Sequence, residues 1–217
     1  SVIDDPAVDL VVEVMGGQDP AGELVLRALE AGKPVVTANK ELIAAQGSEL
    51  ISAAERSGVA LLFEAAVGGG IPIIRPLSET LAGERITRVM GIVNGTTNFI
   101  LTRMSEEGTA YVEALQQAQE LGYAEPDPTA DVSGADAAAK AAILASLAFG
   151  TWVGLDHVPH TGITEITAVD IRYAAELGYA IKLLGIAEDT GSGVSARVHP
   201  VLLPTDHPLA SIRGATN

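Results

Sequence analysis

Three short aliphatic runs alternate with two helical segments over the first 63 residues of the chain. The runs end at Val14, Ala38 and Phe63, and polar or glycine residues follow or precede each of them. Strands that are joined through helices in this way pair side by side in a parallel sheet. Ligands of such sheets bind beyond the carboxyl ends of the strands. These ends are the loops 15–19, 38–41 and 64–71.

Both predicted helices carry signals at their ends. Asp19 is the expected N-cap of the first helix, with Pro20 at the first helical position, and Asn39 is the expected N-cap of the second. We expect the helices to end at Gly32 and Gly58. A glycine in the middle of the second helix, Gly47, is expected to loosen it.

The pattern changes beyond residue 70 to longer helical segments around a few strands. Strands are predicted over residues 86–93, 180–187 and 195–203, and helices over 72–81, 97–104, 110–121 and 170–177, with an Ala-rich helix that ends at Gly150. This mixture indicates an α+β domain with an open sheet. The predicted fold is therefore α/β, with a partial Rossmann-type parallel sheet in residues 1–70 and an α+β domain in residues 71–217.

Composition excludes several classes of function. The formal net charge of −15 argues against nucleic-acid binding, because a phosphate backbone would be repelled. We find no basic amphipathic stretch, no apolar run that could span a membrane and no signal-peptide pattern, so no membrane partner is expected. The absence of cysteine excludes thiolate chemistry and is compatible with a cytoplasmic location.

An acidic loop runs directly into the Ala-rich helix at residues 122–140. Asp136 and Lys140 are four residues apart on this helix, so they share one face. One interpretation is a routine ion pair near a helix N-terminus. The other is a lysine held as proton donor or acceptor beside a carboxylate, with further carboxylates placed to bind a cationic group. Spacing alone leaves both open.

Three other segments are candidate sites. Lys40 follows a strand where an anion or the amide edge of a nicotinamide could bind, although a capped helix with a solvated lysine is the commoner arrangement. Residues 64–72 place a carboxylate before a glycine-rich turn without the lysine of a P-loop; this is a tight turn that could also hold a hard cation. Residues 94–98 link a strand to a helix, with Thr96 or Thr97 as the expected cap.

Histidine and serine chemistry receive no support. The four histidines are scattered among prolines without the spacing of a zinc site, and there is no G-x-S-x-G nucleophile motif.

Taken in order, residues 35–40, 64–71, 93–98 and 122–140 resemble homoserine dehydrogenase. The most specific part is G-Y-A-E-P-D-P followed by D-x-S-G-x-D-x-x-x-K, and the resemblance is greatest to long bacterial forms. It implies NAD- or NADP-dependent interconversion of L-homoserine and L-aspartate 4-semialdehyde, on the route to threonine, methionine and isoleucine. Residues 1–70 would then be part of a dinucleotide-binding domain. Residues 71–217 would form an incomplete catalytic, substrate-binding and dimerisation domain of a homodimer or homotetramer.

The resemblance also assigns roles to individual residues. Lys140 would be the proton donor or acceptor, and Asp136 would orient it and help to bind substrate. Glu125 would bind the substrate's amino group with support from Asp131. The residues implied near the cofactor are Gly16, Lys40, Gly95 and Gly122. A sodium ion would be held by the carboxylate of Glu64 and the backbone carbonyls of Val67, Gly69 and Ile71.

Part of the family's pattern is missing from this stretch. The first strand, the glycine-rich G-x-G-x-x-G turn and the first helix are expected before residue 1, and a closing part is expected after residue 217. We therefore expect a fragment that by itself binds dinucleotide weakly or not at all, and whose preference between NADH and NADPH stays open.

Two alternatives remain. The chain could be another oxidoreductase, of the sugar-dehydrogenase type, because Gly32 to Val36 followed by a lysine loosely resembles that pattern. It could also be a non-catalytic oligomerisation core. Aspartate-semialdehyde dehydrogenase is not supported, since it needs a cysteine nucleophile.

Overall fold

The computed structural model describes residues 2–217, which form two compact units. Unit 1 extends to Ile86 and includes Ala142–Leu155, and unit 2 comprises Thr87–Ala141 and Asp156–Asn217. The division falls within one long helix. Among residues 2–217, no helix combines the length and the apolar composition that a bilayer crossing requires.

Unit 1 contains a three-stranded parallel sheet in the order β1-β2-β3, which confirms the predicted sheet. The strands are β1 (Val11–Glu13), β2 (Val35–Thr37) and β3 (Leu61–Leu62), and the helices between them are α1 (Ala21–Glu30) and α2 (Lys40–Ser57). Aliphatic side chains of the helices and of β2 form the core, among them Val25, Leu29, Val35, Leu42, Ile43 and Leu50. The register places Val12 beside Val36, and Val36 beside Leu62.

Strand β1 is covered on only one face. Val12 is 60% exposed and Leu62 is 55% exposed, so the sheet face that they share with Val36 is largely open within residues 2–217. The opposite face is covered, and Glu13 on β1 is only 4% exposed. Aliphatic composition identified the strand, but which face is covered depends on the elements that pack against it.

Helices α1 and α2 are capped differently at their N-termini. The prediction of Asp19 as N-cap was wrong, because α1 begins at Ala21 and Pro20 is its N-cap without a side-chain hydrogen bond. The cap of α2 is confirmed: Oδ1 of Asn39 accepts from the backbone N–H of Leu42 at 3.1 Å. Gly58 ends α2 in the left-handed conformation, with φ of 67°.

Gly47 does not loosen α2, which is continuous from Lys40 to Ser57. A Cβ atom at this position would lie 2.1 Å from the ring of Trp152. Glycine is therefore present to admit a large aromatic side chain, and its cost in helix propensity is offset by packing. The helix predicted over residues 72–81 is also shorter, a π-helical segment over Pro76–Thr80.

Unit 2 combines helices with an open antiparallel sheet, the α+β mixture that the pattern predicts. Its antiparallel sheet has the order β4-β5-β6, with β4 (Arg88–Gly91), β5 (Tyr179–Asp189) and β6 (Val194–Pro204). The helices are α3 (Gly95–Glu107), α4 (Tyr111–Glu120), α5 (Thr129–Val132), the first part of α6 (Ala135–Phe149) and α7 (Ala168–Glu176). A buried cluster on the sheet contains Ile92, Leu184, Ile186, Leu203 and Ala210.

Candidate active site

Asn94 is the N-cap of helix α3, and two buried residues separate it from the end of β4. Oδ1 of Asn94 accepts from both the backbone N–H and the hydroxyl of Thr97, each at 2.8 Å. The predicted caps Thr96 and Thr97 were therefore wrong. Asn94 has an extended backbone that brings its short side chain over the first free N–H groups of the helix.

Asp136 and Lys140 form the ion pair that their spacing predicts. Nζ of Lys140 lies 2.7 Å from Oδ2 of Asp136, and the two side chains are 16% and 7% exposed. The same Nζ donates to the backbone carbonyl of Val93 at 2.9 Å. Because both partners are largely removed from water, this pair is not a solvated surface contact.

The side-chain amide of Asn94 connects this pair to a second carboxylate. Nδ2 of Asn94 donates to Oδ1 of Asp131 at 2.6 Å and to Oδ2 of Asp136 at 2.9 Å. The structure thus brings together Asp131, Asp136 and Lys140, all three of which are site residues predicted from sequence. Asn94 was missed as a member of this cluster, and its place just after a strand and before a helix was the signal that could have identified it.

This arrangement can hold and move a proton. An ammonium group has three N–H donors, and Asp136 and the carbonyl of Val93 engage two of those of Lys140. The third N–H can face an oxygen atom of a substrate. In a largely dry site the interaction of that donor with developing negative charge is stronger than it would be in water.

The loop that carries Glu125 is tied to the start of α3. The hydroxyl of Thr96 donates to the carbonyl of Tyr123 at 2.7 Å, and Gly122, which follows the C-cap of α4, has φ of 76°. Glu125 itself is exposed, and its backbone carbonyl accepts from Gln119 at 3.2 Å. Its carboxylate therefore lies at the surface of unit 2, on a loop that starts beside the buried cluster.

A neighbouring carboxylate, Asp127, has a structural role. Its Oδ1 accepts from the hydroxyl of Thr129 at 2.6 Å and from the backbone N–H of Thr129 at 3.1 Å. These hydrogen bonds from Thr129 hold the pKa of Asp127 below its usual range. Asp127 thus stabilises the start of α5, the helix that carries Asp131.

The residues predicted near a cofactor lie at loops and helix ends. Gly16 follows β1 with φ of 80°, and Lys40 is the first residue of α2 after β2, both in unit 1. Gly95 is the first residue of α3 in unit 2, and a Cβ atom there would lie 2.5 Å from the carbonyl oxygen of Ala215. Close backbone packing thus accounts for glycine at position 95.

Glu64, the predicted sodium ligand, has its carboxylate on backbone amides. Its two oxygens accept from the N–H of Ile74 at 2.8 Å and of Arg75 at 2.9 Å. The N–H of Ile71 donates to the carbonyl of Gly68 at 3.0 Å, which closes the tight turn. Each carboxylate oxygen keeps further lone pairs, so oxygen atoms that could act as ligands of a hard cation remain in this segment. Residues 2–217 contain no group of three or more His, Cys, Asp or Glu side chains arranged to hold a metal.

A second buried polar cluster in unit 2 was not predicted. Lys182 on β5 is 4% exposed; its Nζ donates to Oδ1 of Asn98 at 2.8 Å and to the carbonyl of Ile212. Nδ2 of Asn98 in turn donates to the carbonyls of Gly214 and Thr216. Burial lowers the pKa of Lys182 to about 8, and the charge of Arg213 adds to the effect. A lysine within an aliphatic strand gives no sign of this role in the sequence.

The lowered pKa predicts a specific pH dependence of stability. The unfolded chain binds a proton at Lys182 up to its ordinary pKa of about 10.4, whereas the folded chain loses it near pH 8. The cost of burying the charge is present in full below pH 8 and is relieved as pH rises above it. We expect the melting temperature of the wild type, minus that of Lys182→Met, to increase between pH 7 and about 9.5. A difference that does not change with pH would contradict a buried, charged Lys182.

Two family models cover the chain. The model for homoserine dehydrogenase matches residues 72–217, and the model for the homoserine dehydrogenase NAD binding domain matches residues 1–64. Homoserine dehydrogenase of Mycobacterium tuberculosis is 58% identical over 215 residues, which are 97% of this chain and 49% of that protein. The enzyme of Corynebacterium glutamicum is 55% identical over 222 residues, which are 100% of this chain and 50% of that protein.

Solved structures agree with these matches. A homoserine dehydrogenase from Thiobacillus denitrificans superposes with a TM-score of 0.96 at 51% identity, over 98% of this chain and 49% of that chain. A hyperthermophilic archaeal homoserine dehydrogenase in complex with NADPH gives a TM-score of 0.79 at 35% identity, over 94% of this chain and 59% of that chain. The chain spans about half the length of the curated relatives it matches.

These matches confirm the resemblance drawn from residues 35–40, 64–71, 93–98 and 122–140, and they favour neither the sugar-dehydrogenase alternative nor the non-catalytic core. They agree with the architecture of a partial Rossmann-type sheet followed by an α+β domain. The chain belongs to the homoserine dehydrogenase family.

Proposed function

We propose that the protein containing this chain is a homoserine dehydrogenase, which interconverts L-homoserine and L-aspartate 4-semialdehyde with NAD or NADP. The observation that carries the proposal is the buried cluster in which Asn94 joins Asp131 to the Asp136–Lys140 pair. It lies within a chain that belongs to this family, and its residue types match the needs of the reaction.

In this proposal Lys140 moves the proton of the reaction. When the alcohol is oxidised, the neutral amine of Lys140 accepts the hydroxyl proton; in the reverse direction its ammonium returns the proton to the carbonyl oxygen. The nicotinamide cofactor, when bound, accepts or supplies the hydride. Asp136 holds Nζ at 2.7 Å, which limits the positions that the reacting N–H can take.

Carboxylates of the same region would bind the substrate. Homoserine carries an ammonium group, and anionic side chains are its natural partners. We assign this contact to Glu125, supported by Asp131 and Asp136. Glu125 is exposed on the loop that Thr96 ties to α3, whereas Asp131 is half-buried beside Asn94.

The cofactor and cation sites are also proposals. Gly16 and Lys40, at the carboxyl ends of β1 and β2, are assigned to the cofactor, because ligands of parallel sheets bind at these ends. No neighbouring atom would lie within 4 Å of a Cβ at Gly16, so the space above the strand end is open. Gly95 and Gly122 are assigned to the same role on the family resemblance. A sodium ion is assigned to Glu64 with the carbonyls of Val67, Gly69 and Ile71.

The proposal also covers the domains, the oligomeric state and the cellular role of the protein. Residues 1–70 would belong to the dinucleotide-binding domain and residues 71–217 to the catalytic domain. A homodimer or homotetramer would form through unit 2, where large apolar side chains such as Tyr173, Leu177 and Leu202 are exposed. We place the enzyme in the cytoplasm, in the synthesis of threonine, methionine and isoleucine.

The test is an assay of the full-length protein with L-homoserine and either NADP⁺ or NAD⁺, followed by the absorbance of the reduced cofactor. We expect reduction with L-homoserine and none with D-glucose, the control for a sugar dehydrogenase. A folded protein that binds cofactor but does not oxidise L-homoserine would refute the proposal. The chain of residues 1–217 alone is expected to bind NADPH weakly or not at all in a fluorescence titration, and micromolar affinity would contradict that expectation.

A further inference from the structure

We propose that Asn94 is a positioning residue for the proton transfer at Lys140, an inference that rests on the proposed function. Its side-chain amide lies between the carboxylates of Asp131 and Asp136, at 2.6 and 2.9 Å. It holds these two anions close together and orients the one that binds Lys140. Helix capping alone requires only the oxygen of this amide, so the two hydrogen bonds of Nδ2 need a separate explanation.

The orientation of the amide follows from its partners. An asparagine side chain has two N–H donors and an oxygen with two lone pairs. Nδ2 uses both donors on the two carboxylates, and Oδ1 accepts from the N–H and the hydroxyl of Thr97. A flipped amide would direct its oxygen at two carboxylates and its NH₂ group at a backbone N–H. Only one orientation satisfies all four partners.

The backbone around Asn94 is held on both sides. The carbonyl of the preceding residue, Val93, accepts from Nζ of Lys140 at 2.9 Å. One turn further into α3, Oδ1 of Asn98 accepts from the buried ammonium of Lys182 at 2.8 Å. Residues 93 and 94 therefore contact both members of the Asp136–Lys140 pair from the connection between β4 and α3. Asn94 itself is 4% exposed, so water cannot readily replace its hydrogen bonds.

Electrostatics explain why a neutral donor is needed at this position. Two carboxylates that share a partly buried site repel each other, and one of them tends to take up a proton. A protonated Asp136 would be a weaker partner for the ammonium of Lys140. By donating to both carboxylates, Asn94 offsets part of this repulsion and holds Asp136 as a fixed counter-charge. The third N–H of Lys140 then remains for the reacting oxygen of the substrate.

Asn94→Asp in the full-length protein tests the charge of this group. The carboxylate preserves the size of the side chain and can still cap α3, but it replaces both donors with a third anion. At low pH the new carboxyl is protonated and can donate one hydrogen bond. We expect the kcat ratio of the variant to the wild type to fall by about tenfold from pH 6.5 to 9, as the added group ionises.

Asn94→Ser separates helix capping from the two hydrogen bonds that Nδ2 donates to Asp131 and Asp136. Serine caps helices well, but its single hydroxyl cannot donate to both carboxylates. We expect kcat to fall by about 10- to 100-fold, from a misplaced Lys140, and the melting temperature to fall as well, because two partly buried carboxylates lose their shared donor. Thr97→Val is the matched control. It removes the hydrogen bonds of the Thr97 hydroxyl to Oδ1 and to the backbone carbonyl of Asn94 and leaves the partners of Nδ2 unchanged, so the pH profile of kcat should match that of the wild type.

A measurement without substrate keeps this inference separate from the proposed function. Brief acetylation of Lys140 with acetic anhydride, followed by mass spectrometry, reports the pH at which its amine becomes reactive. We expect this pH to rise by about one unit in Asn94→Asp, because the added anion stabilises the ammonium.

Wild-type activity with L-homoserine decides the proposed function, and the acetylation profile decides the inference even if that activity is absent. An unchanged acetylation profile in Asn94→Asp overturns the inference, as does kcat of Asn94→Ser within twofold of the wild type, about 0.4 kcal/mol. If Asn94→Asp does not fold, the inference is decided by Asn94→Ser.

Discussion

Replacing Lys140 by alanine in the full-length protein is expected to lower kcat for L-homoserine oxidation by about 10²- to 10⁴-fold, the usual range for loss of a general base. The reason is that Nζ, held by Asp136 at 2.7 Å and by the carbonyl of Val93 at 2.9 Å, is the proton carrier of the proposed reaction. KM should change much less than kcat, because the substrate's ammonium group is assigned to carboxylates. Initial rates over a range of homoserine concentrations measure both constants.

Lys140→Arg sharpens this test. Arginine keeps the positive charge beside Asp136 but does not release its proton at accessible pH. If Lys140 acts only through its charge, the arginine variant retains most of the activity; if it carries the proton, kcat falls as far as in Lys140→Ala. Lys33→Ala is a matched control, since this lysine contacts the carbonyl of Asp5 at the surface of unit 1. Values of kcat within tenfold of the wild type in both Lys140 variants would exclude the acid–base role.

Asp136→Asn is expected to lower kcat by about 10²-fold or more, as when the carboxylate that orients a base is neutralised in a catalytic triad. The substitution keeps the shape of the side chain but removes the counter-charge of Lys140, and it places an amide near Nδ2 of Asn94. Lys140 is then held less firmly. We also expect a lower melting temperature, because breaking a largely buried ion pair leaves one charge without its partner.

A double-mutant cycle distinguishes a coupled pair from two independent contributions. If Asp136 acts through Lys140, the double variant Asp136→Asn/Lys140→Met should be no more than about threefold slower than Lys140→Met alone, because residues that act as a unit are not additive. Glu188→Gln offers a control on a surface ion pair, that with Arg197 at 2.8 Å, and should leave kcat unchanged. Additive losses in the cycle would show that Asp136 acts independently of Lys140.

Local signals in the sequence predicted much of the fold. The cap at Asn39 and the left-handed glycine at Gly58 act on neighbouring backbone atoms, so they define α2 whatever packs against it. The same local logic misplaced the start of α1 at Asp19 and misread Gly47, whose reason for being glycine is the ring of Trp152 more than 100 residues away in the sequence. Contacts of that kind leave no periodic trace in the sequence.

In the candidate site, too, some contacts follow from the sequence alone and others only from the tertiary structure. The sequence by itself determined that Asp136 and Lys140 form a pair, because a four-residue separation on a helix brings two side chains together in any tertiary context. It also identified the family, through the order of its motifs. Only the tertiary structure decided that Asn94, 42 residues before Asp136, joins that pair to Asp131, and that Lys182 is buried on Asn98. Hydrogen bonds between distant elements depend on how strands and helices pack, and packing is a property of the whole fold.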